Sequence, residues 1–97
     1  MRLTVYSKPH CVFCTKAKTY LVLGSIPFNT IDIMENDDAR EMLIAEGHST
    51  MPQIYIDNVL FVPGGYHGLI SLTYDDINSK INEYTNNQIL INQLGTL

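Results

Sequence analysis

The sequence predicts an α/β domain, a four-stranded mixed sheet flanked by three or more helices. Three observations lead there. Segments with strand and helix character alternate in the order strand, helix, strand, helix, strand, strand, helix. The early strand–helix–strand unit requires parallel pairing, whereas the short connection through Asp57-Asn58 requires an antiparallel hairpin. A length of 97 residues is enough for one compact core. The right-handed crossover rule leaves few other arrangements.

Each element has its own signal. Leu3–Ser7 is short, carries Val5 and Tyr6, and stops ahead of Pro9, as a buried strand does. Residues 11–23 read as a helix with Ala17, Tyr20, Leu21 and Gly24 on one face, and Gly24 followed by Pro27 marks its end. Residues 28–33 are strand-like, with Ile31 and Ile33 on one side and Thr30 and Asp32 on the other. Asn36-Asp37-Asp38 offers N-cap candidates and an acidic first turn. Ala39, Met42 and Leu43 give that helix an apolar face, and Gly47 ends it. Residues 53–57 and Val59–Val62 are β-rich runs on either side of a turn.

Pro63-Gly64-Gly65 then punctuates the chain before a last helical stretch, in which Ile70, Tyr74, Ile77, Ile81 and Tyr84 recur at helical spacing. Thr73 with Asp76 three residues on can cap a second segment, so two helices fit as well as one. Residues 1–85 therefore form the predicted domain. In the tail, 86–97, Asn86, Asn87, Asn92 and Gly95 are weak helix formers, which predicts a last packed turn and a frayed end. A contact between two copies is the alternative for that tail.

Composition narrows the function. A hydrophobic fraction of 45% and a charged fraction of 16% are ordinary for a globular domain. No apolar run approaches the length of about 18 residues needed to span a bilayer, and the start of the chain lacks a signal-peptide h-region. A monomer in the cytoplasm, away from membranes, is the expectation. The net charge is −4, and of the six Lys and Arg residues only Lys8, Lys16 and Lys18 concentrate, around the cysteines. So acidic a chain is a poor partner for nucleic acid.

Both cysteines lie in one motif, Cys11-Val12-Phe13-Cys14. Closing so short a loop gives the least stabilisation a disulfide can offer, and two cysteines cannot complete a four-ligand zinc site. Adding His10 supplies only a third local ligand. In a reducing compartment a lone Cys-x-x-Cys points to redox work. Cys11 falls where strand hands over to helix, where unpaired amides and the positive end of the helix dipole favour a thiolate. Lys8 adds positive charge, and a thiolate is the attacking species in disulfide exchange. Cys14, three residues on and inside the helix, is within reach but less accessible. These positions cast Cys11 as nucleophile and Cys14 as resolving thiol, against the plainer reading of two inert core cysteines.

Two further features stand out. In Thr50-Met51-Pro52 the proline precedes a strand; a cis bond there turns the backbone of Met51 toward the cysteines, although most X-Pro bonds are trans. A substrate peptide could then pair with that backbone as an added strand. Gly64-Gly65-Tyr66 opens the last helical stretch, where converging amides suit a carboxylate; an ordinary glycine turn explains it equally well.

Together these features resemble the glutaredoxins. The run Tyr6-Ser7-Lys8-Pro9-His10-Cys11-Val12-Phe13-Cys14 resembles that family's dithiol active-site segment. Thr50-Met51-Pro52-Gln53-Ile54-Tyr55-Ile56-Asp57 is similar to its Thr-Val-Pro-Gln-Ile-Phe-Ile-Asp block, and Gly64-Gly65-Tyr66 to its Gly-Gly-Tyr-Asp-Asp-Leu motif. The Val-Phe pair and Thr-Met-Pro are similar to short bacteriophage members. The resemblance covers about residues 3–84. It implies a thioredoxin-like fold, a cis Pro52, and glutathione as co-substrate with no tightly bound cofactor or metal. It also implies that glutathione pairs with the backbone of Met51, sets one carboxylate at Gly65 and Tyr66 and brings the other near Lys8. Phe13, Thr50, Pro52 and Gly64 complete the implied binding set. Implied substrates are protein disulfides, glutathione mixed disulfides and ribonucleotide reductase.

The chain departs from the family pattern in three places. His67-Gly68 stands where Asp-Asp is usual, removing carboxylates expected near the glutathione amino group; His67 itself reads as a solvated first-turn residue. The stretch between Asp57 and Gly64 is a residue or two longer than usual, which leaves the hairpin register open. His48-Ser49 precedes Thr50 where an Arg or Gln often stands. The first departure keeps a variant that draws electrons from thioredoxin reductase in play. A dimer sharing an iron–sulfur cluster through Cys11 is the reading from a different class, disfavoured because its specialists carry Ser where Cys14 stands.

Overall fold

The computed structural model describes residues 2–95; Met1 and the 96–97 end of the tail lie outside the described residues. The chain runs β1 (Leu3–Ser7), α1 (Val12–Leu23), β2 (Phe28–Asp32), α2 (Asp37–Ala45), β3 (Gln53–Ile56), β4 (Val59–Val62), α3 (Gly65–Ile70) and α4 (Tyr74–Gly95). The sheet order is β2-β1-β3-β4. β1 and β2 pair in parallel from Leu3↔Phe28 to Ser7↔Asp32, while β3 runs antiparallel to both β1 and β4. The mixed four-stranded sheet is the predicted one.

Side chains alternate across the strands and build two cores. On one face Leu3, Val5, Ile54 and Ile56 meet Ala17 and Leu21 of α1, Leu69 of α3 and Ile77 of α4. On the other, Tyr6 and Tyr55 meet Ala39 and Leu43 of α2. One layer of α1, α3 and α4 and one of α2 thus enclose the sheet, and the C-terminal end of β1 opens onto the cysteines.

The open register of the hairpin resolves into a bulge. Ile56 pairs with Val59 and Tyr55 with Leu60, but Ile54 pairs with Val62, so Phe61 is the extra residue. Its ring is buried in the first core, which is why the insertion is tolerated.

The last stretch divides into two helices, as Thr73 and Asp76 allow. The Asp76 amide donates to Thr73 Oγ1 at 3.1 Å and the Thr73 amide to Asp76 Oδ2 at 3.0 Å, a reciprocal capping box. The start of α4 is fixed to the end of α1. Tyr20 Oη donates to the Leu72 carbonyl at 2.6 Å and Tyr74 Oη to the Tyr20 carbonyl at 2.8 Å. The Tyr74 ring lies where a Cβ on residue 24 would be, so only glycine fits there.

Beyond Tyr84 the chain differs from the expected turn and fray: α4 continues unbroken to Gly95. Each asparagine costs only about 0.7 kcal/mol relative to alanine, and with no proline in the segment that cost does not stop a helix already nucleated by the capping box. Ile89, Leu90, Ile91 and Leu94 on this extension are more than half exposed. Among the described residues no helix is long and apolar enough to cross a membrane.

Candidate active site

The cysteines occupy the junction that β1 and α1 create. Cys11 is the N-cap of α1, with extended backbone (φ −108°, ψ 104°), and the Cys14 amide donates to its Sγ at 3.2 Å. A serine or aspartate oxygen ordinarily fills this place; here a sulfur does. Cys11 and Cys14 are joined in a disulfide, their Cα atoms 5.2 Å apart. Cys14 is only 1% exposed, packed inside the first turn, whereas Cys11 is partly open to solvent. The predicted asymmetry in access is present.

The loop before β3 faces them. The Met51–Pro52 bond is cis. The carbonyl oxygen of Met51 lies 3.7 Å from Cys11 Sγ. Two side chains of β3 hold this loop from below. Gln53 Nε2 donates to the Thr50 carbonyl at 2.9 Å. The Tyr55 hydroxyl donates to Glu46 Oε1 at 2.9 Å and meets His48 Nε2 at 2.8 Å; with its hydrogen on Glu46, it accepts from the imidazole. Burial, then the hydrogen bond to Glu46, pushes the Tyr55 hydroxyl up to about 12. Tyr6, edge-on to Tyr55 at 5.3 Å, is raised too, by burial and then by the Glu46 charge.

Gly64 and Gly65 both adopt positive φ, 87° and 57°. This lets the start of α3 press against the loop: a Cβ on Gly65 would lie 2.7 Å from the Pro52 carbonyl oxygen. The result is a groove of about 220 Å³ lined by Phe13, Thr50, Met51, Pro52, Gly64, Gly65, Tyr66 and His67. Phe13 and Tyr66 stack at 5.7 Å between centroids, with Lys16 Nζ 5.6 Å from the Phe13 ring.

Seven of the predicted binding residues therefore line one groove. Lys8 does not. It stands on the other side of Met51, in a groove of about 510 Å³ with Cys11 and Cys14 and in a smaller one with Arg40 and His48. Three groove residues were not legible as such: His67, Arg40 and His48. His67 sits next to Tyr66 in sequence, a usable signal, but Arg40 reaches the site only through the packing of α2. Gly68, the other half of the departure from Asp-Asp, has a steric cause. A Cβ there would run into the Pro63 carbonyl. Among the described residues no cluster of three or more His, Cys, Asp or Glu could hold a metal ion.

Comparison with known proteins assigns the chain to a family. The sequence profile of the glutaredoxins matches residues 3–61. The chain belongs to the glutaredoxin family. It is 37% identical to glutaredoxin 3 of Escherichia coli K12 over 54 residues, 55% of this chain and 65% of that protein. The chain thus spans just under two thirds of that relative's length. With the glutaredoxin-like protein NrdH of Lactococcus lactis it shares 37% identity over 59 residues, 61% of this chain and 82% of NrdH. Its fold superimposes on the Escherichia coli NrdH-redoxin, described as a glutaredoxin-like protein with a thioredoxin-like activity profile. The TM-score is 0.62 at 25% identity, covering 81% of this chain and 93% of the redoxin. A glutaredoxin from Brucella melitensis gives 0.60 at 34% identity, covering 74% and 77%. The thioredoxin-like fold implied by the sequence is therefore the fold of this glutaredoxin.

Proposed function

We propose that this glutaredoxin is a thiol–disulfide oxidoreductase using Cys11 as nucleophile, Cys14 as resolving thiol and glutathione as reductant. The observation that carries the proposal is the Cys14 amide directed at Cys11 Sγ beside the Met51 backbone. In the reduced protein the Cys11 thiolate attacks one sulfur of a substrate disulfide and expels the other as a thiolate, leaving a mixed disulfide. Cys14 then attacks Cys11 Sγ and releases the second substrate thiolate. The two enzyme thiols give up two protons, the two substrate thiolates take up two, and the Cys11–Cys14 disulfide remains. Two glutathione molecules reverse this and leave as glutathione disulfide.

The groove of Phe13, Thr50, Met51, Pro52, Gly64, Gly65 and Tyr66 suits the tripeptide. The Met51 backbone offers strand-like pairing, Gly65 and Tyr66 offer the amides at the start of α3, and Lys8 lies beyond Met51 for the opposite carboxylate. A buckwheat glutaredoxin, similar in fold, has been solved as a glutathione complex. The protein works as a monomer in the cytoplasm on protein disulfides and glutathione mixed disulfides, with ribonucleotide reductase a candidate recipient.

One observation favours a second electron source. The first turn of α3 carries no acidic residue, so the glutathione amino group lacks a carboxylate there. That feature, and the likeness to two NrdH proteins, supports a redoxin reduced by thioredoxin reductase. Turnover of one protein disulfide with glutathione plus glutathione reductase, and separately with thioredoxin reductase, decides between them. No turnover with glutathione removes the first reading; none with either removes both.

A further inference from the structure

All ten Asp and Glu residues follow Ile31, whereas four of the six Lys and Arg residues precede it. The fold converts this uneven distribution into a face. Lys8 and Lys18 line the groove containing Cys11 and Cys14, and Lys16 stands 5.9 Å from the Tyr66 ring on the other side of the cysteines. Among the described residues no carboxylate lines that groove, the groove along Met51 and Tyr66, or the one shared by Lys8 and Arg40. Nor are the three lysines neutralised. Among the described residues the one ion pair joins Arg40 to Asp37, at 3.1 Å. Asp32 and Glu46 each accept a hydrogen bond elsewhere, Asp32 from the Met34 amide at 2.8 Å and Glu46 from the Tyr55 hydroxyl at 2.9 Å.

A chain with a net charge of −4 thus sets three lysines, none of them in an ion pair among the described residues, around its partly exposed sulfur. Such a distribution repels most acidic surfaces elsewhere on the molecule while drawing one to this face, and it acts mainly on the rate of encounter. Building on the oxidoreductase reading, we infer that this face selects disulfides flanked by acidic residues in a protein substrate. Aspartate or glutamate side chains next to the substrate disulfide approach Lys16 and Lys18 as Cys11 attacks. Lys18 lies one helical turn beyond Cys14, so flanking residues on that side of the substrate disulfide are the ones it reads.

The test uses the chemically reduced protein in single turnover, which removes the question of electron source. Three peptides carry the same disulfide flanked by Asp and Glu, by Ser, or by Lys. At low salt the second-order rate constant for the acidic peptide should exceed that for the serine peptide by about tenfold, with the lysine peptide slowest. Salt at 1 M, where the screening length is about 3 Å, should bring the three together. Replacing both helix lysines (Lys16→Gln with Lys18→Gln) should cut the acidic-to-serine ratio at least threefold, whereas Lys80→Gln, on the far side against Phe61, should leave it. Equal rates for the three peptides, or a ratio indifferent to the double substitution, overturn the inference while leaving the oxidoreductase intact. Inhibition by a DNA duplex at the concentrations at which the acidic peptide itself saturates would reassign the face to nucleic acid. No reduction of any peptide contradicts the oxidoreductase reading itself.

Discussion

The backbone amide of Cys14 points at the sulfur of Cys11 from 3.2 Å, so the sulfur proposed as nucleophile is also the side chain that caps α1. Once the disulfide is reduced, that same amide and the open end of α1 favour a negative charge on Cys11. In the proposed mechanism, reactivity and helix capping share one contact.

The two cysteines should fail differently. Cys11→Ser should abolish all exchange. Cys14→Ser should keep removal of glutathione from a mixed disulfide, where external glutathione resolves, and lower reduction of a protein disulfide by at least tenfold. Parallel assays of the two substrates check this, and activity in Cys11→Ser would overturn the roles.

The Tyr55 hydroxyl should make stability fall at high pH. Its pKa rises from an ordinary 10 to about 12 in the folded chain, so the folded state holds the proton more tightly than the unfolded state. The contribution is whole below pH 10 and is lost as pH rises through about 12. Urea midpoints for the wild type and Tyr55→Phe should therefore converge between those values. At pH 7 the variant should be less stable by about 1–2 kcal/mol, since Glu46 and His48 lose a shared partner. Curves that stay parallel to pH 12 would refute it.

At the start of α3, charge and space make opposite demands. His67 is exposed on the groove, so His67→Asp should lower the KM for glutathione about two- to fivefold, as a partly screened ion pair does. Gly68→Asp should not, because its Cβ meets the Pro63 carbonyl; it should destabilise the fold by about 1–3 kcal/mol. Glutathione kinetics and urea melts on the two variants separate these effects.

The ease of reading the chain followed the range of the interactions involved. Strand alternation, the Gly24 stop, the Thr73–Asp76 cap and the position of Cys11 are set by neighbours within a few residues, and the structure matches them. The cis Pro52 came through family resemblance, since local chemistry alone favours trans. Arg40 joins the site only because α2 packs under the Met51 loop, which no short spacing encodes, whereas His48 arrives with the loop itself, three residues before Met51. The bulge at Phe61 depends on which ring the first core has room for. The helical run past Tyr84 was missed because weak propensities were set against a helix already nucleated, and the nucleated helix prevails.

The most direct test of the central claim is the pH dependence of alkylation of the fully reduced protein, with the modified residue identified by mass. Cys11 should react first, with a midpoint at least one unit below the value of about 8.5 for a free cysteine. A midpoint at or above that value, or modification of Cys14 ahead of Cys11, would contradict the account.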